Sequence, residues 1–317
     1  MTNTVINKKN DPTSDFLFAL VFSAIMIILI SPAKYSNVTL NGTLLFATKI
    51  LPVLLPFFFL TRILMQLPTT QKICKLFNPL CNKFFNISGM GAFIFFMGLL
   101  CGYPMGAKLT ADSFEQGVID ESEAKRITTL VSTSGPMFIV GTVGAGFMFS
   151  AKVGAIVFFS HMLGAVFNGM LFSKIGKTKV QQTKTLPLKK TNSNLLASSA
   201  QDALQSVLMV GVYIILFFLF IEIFLSTFHI TNPIATSLLS GIIEITRGTL
   251  EISKNISSTY LATVLLTFII SLGGISVHAQ SLIFLNKCNI SYKFFILQKL
   301  SHSVFSVLLA CVLALLL

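Results

Sequence analysis

The stretch GMGAFIFFMGLLCGYPMGAK, residues 89–108, begins as an unbroken apolar run and then stops. Its apolar part is ~12 residues long, whereas a helix that crosses a bilayer needs ~20. It ends in Gly102, Tyr103, Pro104 and Gly106, a composition that bends or breaks a helix. A second run behaves the same way: residues 233–243 are apolar and end at Glu244, Ile245, Thr246, Arg247 and Gly248. Both runs read as one arm of a helical hairpin that enters the membrane and returns on the same side.

The rest of the chain supports that setting. It has 317 residues, 54% hydrophobic and 11% charged, with a mean hydropathy of +0.82; soluble domains carry about 25% charged residues. Long apolar blocks at 16–33, 43–67, 127–149, 153–172, 200–228, 260–285 and 294–317 read as spans. The expected fold is all-α and integral to the membrane, with about seven transmembrane helices plus two re-entrant helical hairpins. The polar start followed by the apolar run 16–30 resembles a signal peptide, but no small-x-small cleavage site follows it, so it reads as a retained first span.

The net charge of +12 sits in short loops between apolar blocks. Residues 174–194 contain Lys174, Lys177, Lys179, Lys184, Lys189 and Lys190 and no acid. The positive-inside rule puts this loop in the cytoplasm, with the N-terminus and the loops 68–88 and 286–293. The C-terminus then lies outside, and all the basic loops agree only if the two short runs turn back. Orientation therefore accounts for the charge, and nucleic acid is not expected as a partner. No P-loop, GxSxG, HExxH or CxxC occurs, which argues against a transport ATPase, an enzyme, a cofactor and a metal site. The five cysteines read as packed thiols. The expected partners are the lipid bilayer and a small-molecule substrate; a homo-oligomer and a coupling Na⁺ or proton are left open.

The two halves share one order: long span, short interrupted run, polar return, broken span, further span. The breaks Ser134-Gly135-Pro136 and Gly273-Gly274 correspond. The two hairpins enter from opposite sides, which makes the pattern an inverted repeat. Paired, interrupted short segments of this kind mark the midplane site of transporters.

Candidate substrate-binding residues follow from these positions. The first tip offers Gly102, Tyr103, Pro104, Gly106 and Lys108, and the second offers Glu244, Thr246 and Arg247. The breaks offer Ser134 and Gly135, with Ser132, Thr133 and Pro136 beside them, and Gly273, Gly274, Ser276, His278 and Gln280. Glycine lets backbone approach a ligand, and helix N-termini attract anions. Lys108 and Arg247 place one cation in each tip. The competing readings are that Lys108 snorkels to the surface, that Glu244 and Arg247 form a structural ion pair, and that His278 only packs. Glu222 either lines the pathway or marks its outer end. His161, His229 and His302 receive no role, and the acidic stretch 115–123 reads as a solvated or interfacial face.

The run Gly102-Tyr103-Pro104-Met105-Gly106-Ala107-Lys108, the Leu109-Thr110-Ala111-Asp112 that follows, and Ser134-Gly135-Pro136 resemble the YlbJ/SpoVV family of sporulation integral membrane proteins. That family carries the nucleoside recognition/Gate domains shared with concentrative nucleoside transporters and the membrane part of a ferrous-iron transporter. The run 241–248 resembles the family's second hairpin tip. The resemblance divides the chain into residues 1–40 (tail and first span), 41–173 (first Gate-like repeat), 174–194 (basic loop) and 195–317 (second Gate-like repeat). It implies a secondary transporter or facilitator of a small polar or anionic solute such as dipicolinic acid, working in sporulation, in the membrane around the forespore. A nucleoside-type symporter and a non-transporting assembly protein of the spore envelope stand as alternatives.

Overall fold

The computed structural model describes residues 12–176 and 194–317, and every regular element among them is helical. Lys8, Lys9 and the loop lysines Lys177, Lys179, Lys184, Lys189 and Lys190 lie outside the described residues. In chain order the elements are α1 (Pro12–Ile30), α2 (Pro32–Leu45), the π-helical turn π1 (Phe46–Ile50), α3 (Leu51–Gln66), α4 (Pro68–Phe85), α5 (Gly89–Cys101), α6 (Met105–Glu115) and α7 (Glu121–Val131). They continue as π2 (Met137–Phe147), α8 (Ala151–Leu171), α9 (Leu195–Thr227), α10 (Pro233–Ile243), α11 (Ile245–Asn255), α12 (Thr259–Leu272), α13 (Gly274–Leu285) and α14 (Tyr292–Leu313).

Side-chain caps set many of the starts. Ser88, Asp120, Ser150, Asn232, Glu244, Ser258 and Ser291 each accept a hydrogen bond from a first-turn N–H of the helix they precede. Five helical stretches are long and apolar enough to cross a bilayer: Pro32–Leu64, Ala151–Leu171, Leu195–Thr227, Thr259–Cys288 and Tyr292–Leu316. Along α9, Leu204, Leu208, Val212, Leu216, Phe220 and Phe224 form an exposed stripe at a spacing of four, while Ala203, Val207, Ile214 and Ile221 are buried behind it. An apolar stripe of that length has no stable place in water and matches lipid tails. The chain is a multi-pass integral membrane protein.

Two differences from the sequence reading have physical causes. Residues 127–149 do not form one span, because residues 132–135 leave the helix and separate α7 from π2. The polar helix expected at 109–126 is two helices, parted at the turn 116–120, where Asp120 becomes a cap with its Oδ1 2.7 Å from Glu123 N. The acidic stretch is therefore only partly solvated. Glu123 is buried and accepts the Ser88 N–H at 2.7 Å, tying α7 to the start of α5.

Both short runs belong to hairpins. Asn255 Nδ2, at the end of α11, donates to Ser237 Oγ near the start of α10 at 3.0 Å, so these helices are antiparallel. They touch at Gly241 and Gly248, where a Cβ on Gly248 would lie 2.1 Å from Gly241 Cα. In the first half, Gly98 of α5 and Gly106 of α6 both press on Val131. The counterparts α8 and α14 are the most intimately packed pair in the fold, and they too run antiparallel. Lys152 at the start of α8 donates to Leu316 O at 2.6 Å, and Phe172 beyond its end meets Phe294 near the start of α14. Cross-packing is reciprocal: α13 lies on α6 as π2 lies on α11, and α12 lies on α8 as α14 lies on α7. Equivalent elements that pair antiparallel and exchange neighbours in this way constitute an inverted pair of halves.

Candidate functional site

Each tip closes on the break of its own half. Gly135 sits against Cys101 O and Leu100 O, and a Cβ on Gly102 would lie 2.2 Å from Gly135 N. Gly274 sits in the same way against Gly241 O and Ile243 O. Between the two assemblies lies a central cavity of about 60 Å³. Its polar wall is Tyr103, Ser134, Glu244, Thr246 and Gln280, and its apolar wall includes Leu54, Phe58, Phe138 and Ile214. Space of this size holds roughly two waters.

Four helices begin around this cavity: α6 two residues after Tyr103, π2 at the lining residue Met137, α11 at the lining residue Ile245, and α13 just before the lining residue Val277. Their dipoles give the centre a positive character. Glu244 is the one carboxylate in the lining; it is 2% exposed and caps α11 through Arg247 N at 2.7 Å.

Behind Tyr103 lies a second layer of polar groups. The Tyr103 hydroxyl donates to Ser132 O at 2.6 Å and accepts from Lys299 Nζ, which also donates to Ser132 O at 2.8 Å. Lys299 is 0% exposed, and no carboxylate among the described residues lies within ion-pair distance of it. Gly273 faces the same group, with its Cβ position 3.3 Å from Lys299 Cε and 3.1 Å from the Tyr103 hydroxyl. The first tip, the first break and the second break therefore meet on one buried lysine amine.

His161 joins the breaks from the other side. Ser134 N–H can only donate, so His161 Nε2 accepts it at 3.0 Å, and Nδ1–H donates to Ser271 Oγ at 2.8 Å. His302 Nε2 donates to His161 O at 3.0 Å, and the two rings lie 4.7 Å apart. His278 Nε2 donates to Leu272 O at 2.8 Å, satisfying a carbonyl freed by the second break. Unwound backbone persists at membrane depth only where protein satisfies it, and these side chains do so.

Residues 47–159 match the family model described as "Gate: Nucleoside recognition". This segment resembles a Gate domain. It runs from π1 into α8 and contains the first hairpin, the first break and most of the first wall of the cavity. The chain is also similar to the sporulation integral membrane protein YlbJ of Bacillus subtilis (strain 168), at 29% identity over 293 residues, covering 81% of this chain and 72% of that protein. No solved structure matches.

Of the sequence candidates, the segment that matches the Gate model contributes Tyr103, Ser134 and Gly135 to the cavity, and the second half contributes Glu244, Thr246 and Gln280. Gly102, Gly273 and Gly274 sit directly behind this lining, and Gly106 packs on Val131. Ser276 and His278 are buried in α13 beside it. Pro104 and Lys108 line a separate cavity nearer the end of α3.

Lys108 and Arg247, expected to supply charge between the tips, line no part of the central cavity. The reason for Arg247 is local. Its Nε donates to Glu251 at 2.7 Å, one Nη to Phe218 O at 2.9 Å and the other to Glu222 at 3.1 Å, and Lys34 completes the cluster at 3.1 Å from Glu222. Glu222 is thus a partner that ties the second hairpin to α9 and α2. Glu222→Gln should lower stability by about 1–2 kcal/mol, between the values of exposed and buried pairs. Thermal unfolding of the detergent-solubilised protein reads this, and no shift would mean the cluster contributes nothing.

The central residues that sequence reasoning passed over are Lys299, His161 and His302. All three stand in apolar spans, and an ionisable residue at that depth was itself the available signal.

Proposed function

We propose that this chain is a secondary transporter or facilitator that carries a small anionic solute across a bacterial membrane during sporulation. The observation that carries the reading is the central cavity, where four helix N-termini surround a lining with a single carboxylate and Lys299 lies buried in the layer behind Tyr103. Broken helices whose N-termini face the midplane suit anionic groups of a solute. The similarity to YlbJ supports the sporulation setting and makes dipicolinate, a flat dicarboxylate, the solute to test first. Glu244 is the residue we assign to a coupling Na⁺ or proton. The basic loops favour a cytoplasmic N-terminus.

The Gate domain's nucleoside-recognition description supplies the competing reading of a nucleoside symporter. A neutral nucleoside gains nothing from the Lys299 charge. Purified protein in liposomes is expected to take up labelled dipicolinate above empty liposomes and to leave labelled uridine outside. Uridine uptake without dipicolinate uptake would favour the symporter. Transport of neither would favour a non-transporting assembly protein.

A further inference from the structure

The central cavity shares walls with two others. Phe58, Cys101 and Tyr103 also line a neck of about 10 Å³. Arg62, Pro104, Met105 and Ser206 then pass from the neck into a vestibule of about 240 Å³ between α3, α6, α9 and α13. Gln280 belongs to both the vestibule and the central cavity. The neck is at the lower limit for a single water, so no open passage joins the vestibule to the centre.

The charges along this route are unequal. Arg62 stands at the junction of neck and vestibule, 8% exposed, with one Nη donating to Ser206 Oγ at 3.1 Å. Lys108 lines the vestibule, and no acid among the described residues lies within ion-pair distance of it. The one acid in the vestibule is Asp202, half exposed and 3.6 Å from Arg62. That separation is longer than a charge-assisted hydrogen bond, which spans about 2.7–2.9 Å. Asp202 is therefore a loose partner that a better-placed anion can displace. Burying a guanidinium at a constriction with only a loose carboxylate against it leaves positive potential where a solute must pass.

We infer that the vestibule is an anion-selecting entrance to the central cavity, with Arg62 and Lys108 as its charge filter and Asp202 as an internal stand-in for the anion. This deepens the anion-transport reading and rests on it for the identity of the solute, though the charge selection is measurable without transport.

The test uses the full chain in membrane vesicles, with its five native cysteines replaced by serine and Gln205→Cys as the vestibule reporter. Labelling rates are compared for two methanethiosulfonates added to both faces, one carrying a sulfonate and one a trimethylammonium group, each corrected for its rate with a free thiol. The sulfonate reagent is expected to react roughly tenfold faster. Arg62→Gln with Lys108→Gln should abolish that preference, Arg62→Lys should keep it, and Asp202→Asn should increase it. Equal rates in the parent, or a preference that survives neutralising both cations, would overturn the inference. Met209→Cys serves as a second reporter if Gln205→Cys does not fold. Dipicolinate uptake that fails while the charge preference stands removes the proposed solute and keeps the entrance. Uptake that succeeds without the preference removes the entrance alone.

Discussion

Lys299→Met is expected to abolish solute uptake while leaving the protein folded. Lys299 is wholly buried on α14 and reaches only two oxygens, the Tyr103 hydroxyl and Ser132 O. An ammonium taken from water without a carboxylate partner is held at a net expense to stability. Methionine has a similar length and carries no charge to desolvate. Ser132 O keeps the Tyr103 hydroxyl as its donor at 2.6 Å, so no buried acceptor is orphaned. Stability should therefore change by less than about 1.5 kcal/mol. Function should respond differently, because the substitution removes the one full positive charge at the meeting point of tip and breaks. Losing one partner of a buried charge contact costs about 2–5 kcal/mol, and ~3 kcal/mol corresponds to roughly a hundredfold weaker binding. Uptake into liposomes and thermal unfolding in detergent, measured on the same preparations, separate the two effects. Full uptake by Lys299→Met would remove Lys299 from the site, and an unfolded variant would assign it a structural role. Lys299→Arg should retain a fraction of uptake, since charge persists but the planar guanidinium does not fit an ammonium's position.

The contrast between Lys299 and Arg247 explains how much of the site the sequence disclosed. The breaks at 134–136 and 273–274 were legible because proline and paired glycines interrupt apolar helices for local reasons. The second tip was legible as well, since the apolar run 233–243 is too short to span and stops at Glu244-Ile245-Thr246-Arg247-Gly248. Partner choice was not legible. Arg247 could have faced the cavity, but its guanidinium is claimed by Glu222, which lies 25 residues upstream on another helix. Lys108 is one turn too far along α6 to reach the centre and faces the vestibule instead. The widening of 137–147 into a π-helix has no signature in an apolar stretch where any helical register buries similar groups. Lys299 and His161 are a different matter: their position in apolar spans was visible, and what was not visible is that each meets the first break on another element.

Gly102→Ala is expected to be among the most damaging single-methyl changes in the chain. Gly102 ends α5 with φ +68° and ψ −158°, a region open essentially to glycine alone. Forcing another residue into it costs about 1–3 kcal/mol. The added Cβ would also lie 2.2 Å from Gly135 N and 2.8 Å from Gly135 Cα. Both are backbone atoms of the first break, which cannot swing aside as a side-chain end can. Overpacking of this kind adds about 1–3 kcal/mol, for a total of about 2–6 kcal/mol when the terms add. Gly117→Ala is the control. It also has positive φ, +65°, but lies in the turn between α6 and α7 with nothing within 4 Å of its Cβ position, so only the strain of about 1–2 kcal/mol remains. Thermal unfolding of both variants in one detergent isolates the clash. Equal unfolding temperatures would mean that tip and break are not in contact. A much lower value for Gly102→Ala would show that a hairpin tip and a helix break far apart in sequence are held together as one site, a conclusion that depends on no assumption about what the protein carries.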